Sequence, residues 1–313
     1  MRPLAVNVGG VRVAVASSSF ALDEVDDSHY RQFSLVSLAP AEAAPDIRVD
    51  VVASPPEAPA GRLLFDCDGA WSAFHDDMGY RIVMWSTSST MEHFVARSNA
   101  DTSRVVIHIG ESWGRFITDA GSDGERLMGD PFRYPIDQLI LMNHLATRSG
   151  LIVHSAGLEV DGAGLVFPGA SQAGKTTLSN LLTDAGLGEA LLSDDRMILR
   201  ADGDGSCEGD RFSAWGTPWP GDAGVARNAC VPLRALFFLV QDESPAIVPL
   251  APAAGARRMF PVISCPWWDR ELVAGVLDTI ERLVAAVPCY EFHFRRDQIA
   301  VEMLRRHAAT LSS

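Results

Sequence analysis

The chain has 313 residues, a formal net charge of -14 and a hydrophobic fraction of 47%. That length and apolar content can bury one large core or two modest ones, which excludes a disordered chain. The acidity excludes a nucleic-acid binder, because a phosphate backbone needs a basic face, but a few local groups can still hold a nucleotide.

From the N-terminus, Val11–Ala16 and Ile47–Val51 alternate apolar and polar residues and predict strands. Further strands are expected at Arg62–Asp66, Trp71–Phe74, Tyr80–Trp85, Phe94–Arg97 and Arg104–Ile109. Pro55, Pro56 and Pro59 mark a loop, and Asp76–Gly79 reads as a hairpin connection. The turn-rich stretch from Gly121 to Pro131 marks a boundary. Residues 1–130 are therefore expected to form a β-rich N-terminal domain without catalytic motifs, a candidate for substrate recognition. Residues 131–313 are expected to form the second domain.

After Pro135, Ile136, Leu139, Ile140, Met142 and Leu145 follow a helical period, with Gly150 as the expected stop. Leu151–Val160 reads as a buried strand, Asp161-Gly162 as a turn and Gly164–Pro168 as the returning strand. A helix is expected from Lys175 to Ala185, stopped by Gly186. Short strands follow at Ala190–Ser193, Arg196–Arg200 and Arg211–Ala214, the last two flanking an acidic, Gly-rich loop at Ala201–Asp210. Ala235–Val240 is a core strand, far too short to span a bilayer. Asp269–Ala286 is an amphipathic helix, Cys289–Phe294 a strand and Asp297–His307 a final helix. Strands and helices mixed with hairpins predict an α/β fold with a mixed sheet.

The charged residues hold a further clue. Of the 26 lysines and arginines only Lys175 is lysine. Such an excess of arginine reads as GC-rich coding pressure, and the one surviving lysine marks a place where a guanidinium does not substitute for a compact ammonium. Lys175 stands in Gly169-Ala170-Ser171-Gln172-Ala173-Gly174-Lys175-Thr176, a full GxxxxGK[ST] match between an apolar strand and a helix. The glycines let successive amides curl toward phosphate oxygens, and the helix N-terminus adds partial positive charge. Lys175 is expected to reach the β and γ phosphates and Thr176 to bind Mg²⁺. Thr177 completes the segment. ATP and Mg²⁺ are the expected cofactors.

Asp194-Asp195 follows a short apolar strand downstream of the loop. One carboxylate can hold the metal and the other can accept a proton from a hydroxyl nucleophile. The residue types leave the assignment open, with a lean to Asp195 as the metal-side residue. His154 lies in the strand paired with the one entering the loop, and spacing alone reads it as a core residue. The other histidines show no metal-ligand spacing. Trp215–Gly221 reads equally as a substrate-facing loop or a rigid turn. Trp267-Trp268 reads as packing. Five scattered cysteines (Cys67, Cys207, Cys230, Cys265 and Cys289) with no CxxC pair, and the lack of a signal-like N-terminus, predict a cytoplasmic protein with no membrane partner.

His154-Ser-Ala-Gly157, Gly169–Thr177 and Leu192-Ser-Asp-Asp-Arg196 together resemble the HPr kinase/phosphorylase catalytic domain. They look most like the HPr-kinase-related proteins of modified-peptide gene clusters. The resemblance covers roughly residues 134–313. It implies a phosphoenolpyruvate-carboxykinase-like P-loop kinase domain that phosphorylates serine hydroxyls with ATP and Mg²⁺. It also makes His154 a site residue that orients the aspartates or contacts the transferring phosphate. Gln172 stands where the family usually has glycine. The C-terminal signature of true HPr kinases has no counterpart, which points away from HPr as the acceptor.

The expected function is therefore phosphorylation of a hydroxyl, on serine of a peptide or small protein. Two alternatives are an ATP-binding peptide-docking module without turnover and a small-metabolite kinase. A homo-oligomer is compatible with the chain.

Overall fold

Alternating apolar residues build the first half of the chain. In the strand Val11–Ser17 the side chains of Val11, Val13 and Val15 are buried, and in the strand Ile47–Val52 those of Ile47, Val49 and Val51. The computed structural model describes residues 4–19, 21–23, 28–35, 44–54, 61–85, 92–109, 117–120, 125–201 and 212–311. The expected Pro55–Pro59 loop, the Gly121–Gly124 turn, the loop beyond Ala201 and Cys207 lie outside those residues. The chain divides into two compact units, Met1–Asn7 with Val11–His144 and Val8–Gly10 with Leu145–Ser313.

The first unit contains β1 (Leu4–Val8), β2 (Val11–Ser17), β3 (Ala21–Asp23), α1 (Ser28–Arg31), β4 (Ile47–Val52), β5 (Arg62–Cys67), β6 (Trp71–Asp76), β7 (Gly79–Trp85), β8 (Glu92–Asn99), β9 (Arg104–Ile109), β10 (Ile117–Ala120) and β11 (Glu125–Gly129). An eight-stranded sheet runs in the order β1-β2-β4-β9-β8-β7-β6-β5, and β10-β11-β3 form a second, three-stranded sheet. The hairpin at Asp76–Gly79 joins β6 and β7 as expected. The strands β1, β3, β10 and β11 have no counterpart among the sequence expectations.

The helix α2 (Ile136–Ala146) moves the boundary. The sequence places it in the second domain, whereas the first unit extends through His144. Tyr30 donates to Asp137 Oδ2 at 2.6 Å, and Thr102 Oγ1 hydrogen-bonds His144 Nδ1 at 3.1 Å. These bonds tie most of the helix to the β-rich unit. Gly150 is not the helix stop: Ser149 takes the left-handed conformation at φ 51°, and Gly150 is the first residue of the next strand.

The second unit is built on β12 (Gly150–Val160), β13 (Ala163–Pro168), α3 (Lys175–Leu182), β14 (Leu191–Ser193), β15 (Arg196–Ala201), β16 (Phe212–Trp215), β17 (Cys230–Gln241), β18 (Ala246–Leu250), α4 (Pro252–Met259), β19 (Ile263–Ser264), α5 (Arg270–Ala286), β20 (Cys289–Phe294) and α6 (Gln298–Leu311). Its nine-stranded sheet follows β13-β12-β15-β16-β17-β20-β18, with β14 and β19 also on β12 and β13 also on β17. The chain is thus a mixed α/β protein with mixed sheets and a β-rich N-terminal region.

The core of this unit follows the strand period of two. Leu165, Phe167, Ala235, Phe237, Phe292 and Phe294 meet Leu178 and Leu182 of α3 and Ala300 and Leu304 of α6 in one buried cluster. Phe167 stacks on Phe237 at 5.7 Å and Phe292 on Phe294 at 5.6 Å. The next residue along β17, Phe238, turns away from this cluster and lies under Arg258 of α4. Gly186, at φ 78°, ends the helical run after α3 as expected.

Candidate functional site

Between β13 and α3 the chain forms the glycine-rich loop. A Cβ on Gly169 would sit 2.7 Å from Ala173 Cβ, so this curl admits only glycine there. Gly174 has φ 103° and caps α3 without a side-chain hydrogen bond. The first amides of the helix thus have no side-chain cap, the arrangement that receives anions. Lys175 is buried, and its Nζ donates to Gly169 O at 2.7 Å and Ala170 O at 3.2 Å. Burial pulls its ammonium below the ordinary lysine value; Asp195 and Asp194 oppose that, and Arg196 adds to it. Thr176 is exposed toward the same space.

Gln172 occupies the left-handed region at φ 69°. A non-glycine residue there carries local strain. Gln172→Gly is expected to raise stability by up to about 1 kcal/mol in chemical denaturation. A loss of stability would show that the glutamine side chain makes contacts worth more than the strain.

The aspartate pair forms the corner between β14 and β15. Both β14 and β15 pair antiparallel with β12, and residues 194 and 195 fall in the break between them. Asp195 O accepts from Ser155 N at 2.9 Å, which pins the corner against β12. The two carboxylates consequently diverge. Asp195 Oδ1 pairs with His154 Nε2 at 2.8 Å, and Arg196 Nη1 lies 3.6 Å from Oδ2. Burial pushes the Asp195 carboxyl up, but the His154 hydrogen bond and the charges of Arg196, His154 and Lys175 outweigh it. The net pKa lies below the ordinary carboxylate value.

Asp194 has a different task. Its Oδ1 accepts from Gly221 N at 2.9 Å and Val225 N at 3.1 Å, and its Oδ2 from Ala223 N at 2.7 Å. The residue is only 4% exposed. The sequence places it among the catalytic residues. The structure places it on the cleft wall with both oxygens accepting from loop amides, so that Asp194 also holds the 221–225 loop in place. Asp194→Ala leaves these three donors without their acceptor. It is expected to cost about 3 kcal/mol or more of unfolding free energy. A change within about 0.5 kcal/mol, the range of ordinary surface substitutions, would contradict this role.

The segment from Trp215 to Gly221 follows the rigid-turn reading. Thr217 and Trp219 are buried, and Thr217 Oγ1 donates to Arg196 O at 2.7 Å. The rigid turn then delivers Gly221 and Asp222 to the cleft wall. Trp267 does not fit the packing reading, since it is 53% exposed and meets Phe260 edge-on at 4.9 Å. Cys67, Cys265 and Cys289 are free thiols, and burial pushes Cys265 and Cys289 up to about 11.

The expected loop residues Ser171, Gln172, Gly174, Lys175, Thr176 and Thr177 thus share one cleft of about 440 Å³ with His154, Asp194 and Asp195. Ala170 and Ala173 shape the loop, with Ala173 N donating to Ala170 O at 3.2 Å. The cleft also receives Gln241 and Arg296, which sequence reasoning missed. No group of three or more His, Cys, Asp or Glu side chains placed to hold a metal occurs among the described residues. No helix among the described residues is long and apolar enough to cross a membrane.

Fold and site together define a mixed α/β chain whose glycine-rich loop opens onto a cleft walled by a histidine–aspartate pair. A family model described as SynChlorMet cassette protein ScmC matches residues 136–295, just over half of the chain, and the chain belongs to that family. No curated protein matches it.

Proposed function

We propose that this protein is an ATP- and Mg²⁺-dependent kinase that phosphorylates a hydroxyl, the serine of a peptide or small protein, on a phosphoenolpyruvate-carboxykinase-like P-loop domain. The observation that carries the proposal is the meeting of buried Lys175 and the His154–Asp195 pair in one cleft at the uncapped N-terminus of α3. The residues fit a triphosphate. The Gly169 curl has no room for a Cβ, and the α3 amides lack a side-chain cap. Lys175 would neutralise the β and γ phosphates, and the Thr176 hydroxyl would hold the metal. The bound nucleotide and metal would supply the transferable phosphoryl group and the charge neutralisation.

Asp195 is assigned the proton. Its carboxylate faces the cleft, and His154 fixes Oδ1 by a hydrogen bond. A carboxylate held in this way accepts the proton of an incoming hydroxyl. Asp194 acts by keeping Gly221 and Asp222 at the cleft wall. The proposal is tested by incubating the full chain with ATP and Mg²⁺, with and without serine-containing peptides, and following ADP release and peptide mass. ADP release coupled to a phosphate-sized mass gain on the peptide is expected. Tight ATP binding without turnover on any hydroxyl acceptor would favour the docking-module alternative instead.

A further inference from the structure

In open α/β sheets, ligands bind beyond the carboxyl ends of parallel strands. Strands β13, β17 and β20 lie side by side and parallel. Gln241 is the last residue of β17, and beyond the carboxyl ends of β13 and β20 come the glycine-rich loop and Arg296. Gln241 adjoins the loop directly: its Nε2 lies 3.4 Å from where a Cβ on Gly174 would stand. The His154–Asp195 pair occupies the other flank, since β12 pairs with β13 on the side away from β17. The cleft therefore has an acidic, proton-accepting flank and a Gln241–Arg296 flank, with the loop between them.

The second flank continues into another cavity of about 500 Å³, which shares Gln241 and Arg296 with the cleft. That volume falls within the about 300–1,000 Å³ usual for small-molecule sites. Its walls carry Asp242, Glu243 and Asp297 beside Phe294, Arg295 and Arg296. Asp242 is engaged by Ser244 N and His293 and Asp297 by Arg295 and Ile299 N, which leaves the exposed Glu243 carboxylate to accept hydrogen bonds from hydroxyls and amines. Arg295 is drawn to Asp297 at 2.5 Å, while Arg296 Nη2 donates to the neutral Gln241 Oε1 at 2.8 Å. The Arg296 guanidinium so held can stack a planar ring or donate further hydrogen bonds.

We infer that this second cavity is the nucleoside subsite of the triphosphate, with Arg296 at the junction between phosphates and base. The inference rests on the P-loop reading above. It follows from position and chemistry: the cavity adjoins the loop through Gln241 and Arg296 and offers Glu243 to sugar hydroxyls and the Arg296 guanidinium to a planar base, while the loop suits the phosphates.

Calorimetry on the full chain with Mg²⁺ at about 0.15 M salt, where distant charges are screened, compares ATP with inorganic tripolyphosphate. Arg296→Ala is expected to weaken ATP by about 10- to 100-fold and to leave tripolyphosphate within about twofold. Glu243→Gln, on the exposed rim, should weaken ATP in the same selective way. Equal losses for both ligands would make Arg296 a phosphate contact and overturn the inference. Unchanged ATP binding in both variants would overturn it too. Lys175→Ala serves as the separate control. If it loses both ligands while Arg296→Ala loses neither, the P-loop reading stands and the nucleoside subsite falls. If the unmodified chain binds neither ligand, both fall.

Discussion

Asp195→Asn is expected to cut turnover by about 10²–10⁴-fold while leaving ATP affinity and the magnesium requirement near those of the unmodified chain. The amide keeps the shape of the corner but cannot take a proton from a hydroxyl. The pH dependence follows from the same geometry. The folded-state pKa of Asp195 lies below the ordinary 3.8. The carboxylate therefore stays ionised as pH falls toward that value, and the acid limb of turnover assigned to it lies below pH 3.8. His154→Ala removes the hydrogen bond that opposes burial. The carboxyl should then titrate at higher pH, and the acid limb should move up with it. A purely structural histidine would change stability without moving the limb. A raised magnesium requirement in Asp195→Asn would instead make Asp195 the metal-side residue.

Lys175→Ala should lower phosphoryl transfer by at least about 10²-fold and weaken ATP binding, because it removes the charge proposed to face the β and γ phosphates. Lys175→Arg is the sharper test. The ammonium is buried within hydrogen-bonding distance of Gly169 O and Ala170 O, and a planar guanidinium is larger and differently shaped. The arginine variant should fail as well. Full activity there would contradict both the tight cradle and the reading of the single lysine in an arginine-rich chain. Steady-state turnover and calorimetric ATP affinity, measured on both variants, separate loss of binding from loss of chemistry.

Much of this architecture is legible in the sequence because it rests on local signals. The β2 and β4 strands show the period of two, Asp161-Gly162 takes left-handed conformations in the β12–β13 turn, and Asp269 caps α5 by accepting from Glu271 N and Leu272 N. Asp297 likewise begins α6 by accepting from Ile299 N, and the helix runs on to Leu311 because Ala308 is buried in the core. Other elements lack such signals. β18 contains Pro249, which demotes a strand in a sequence reading but is tolerated because β18 is at the sheet edge. Pro252 is the first residue of α4, a start signal that reads as a loop without tertiary context.

The candidate site divides the same way. The loop and the aspartate pair are visible as residue types at recognisable spacing, whereas spacing reads His154 as a core residue and only the resemblance brings it to the site. The split between Asp194 and Asp195 is not visible, because the partners of Asp194 are backbone amides of residues 221, 223 and 225 and leave no side-chain signature. Arg296 is hidden for another reason: only the parallel order of β13, β17 and β20 brings it to the loop.

The most direct test of the whole account is transfer of radiolabel from γ-labelled ATP. The full chain, Lys175→Ala and Asp195→Asn are each incubated with Mg²⁺ and a serine-containing peptide. The account predicts label on the peptide serine with the unmodified chain, and label reduced at least about a hundredfold with either variant. Equal labelling by all three proteins would contradict it, since neither the cradle nor the proton acceptor would then take part.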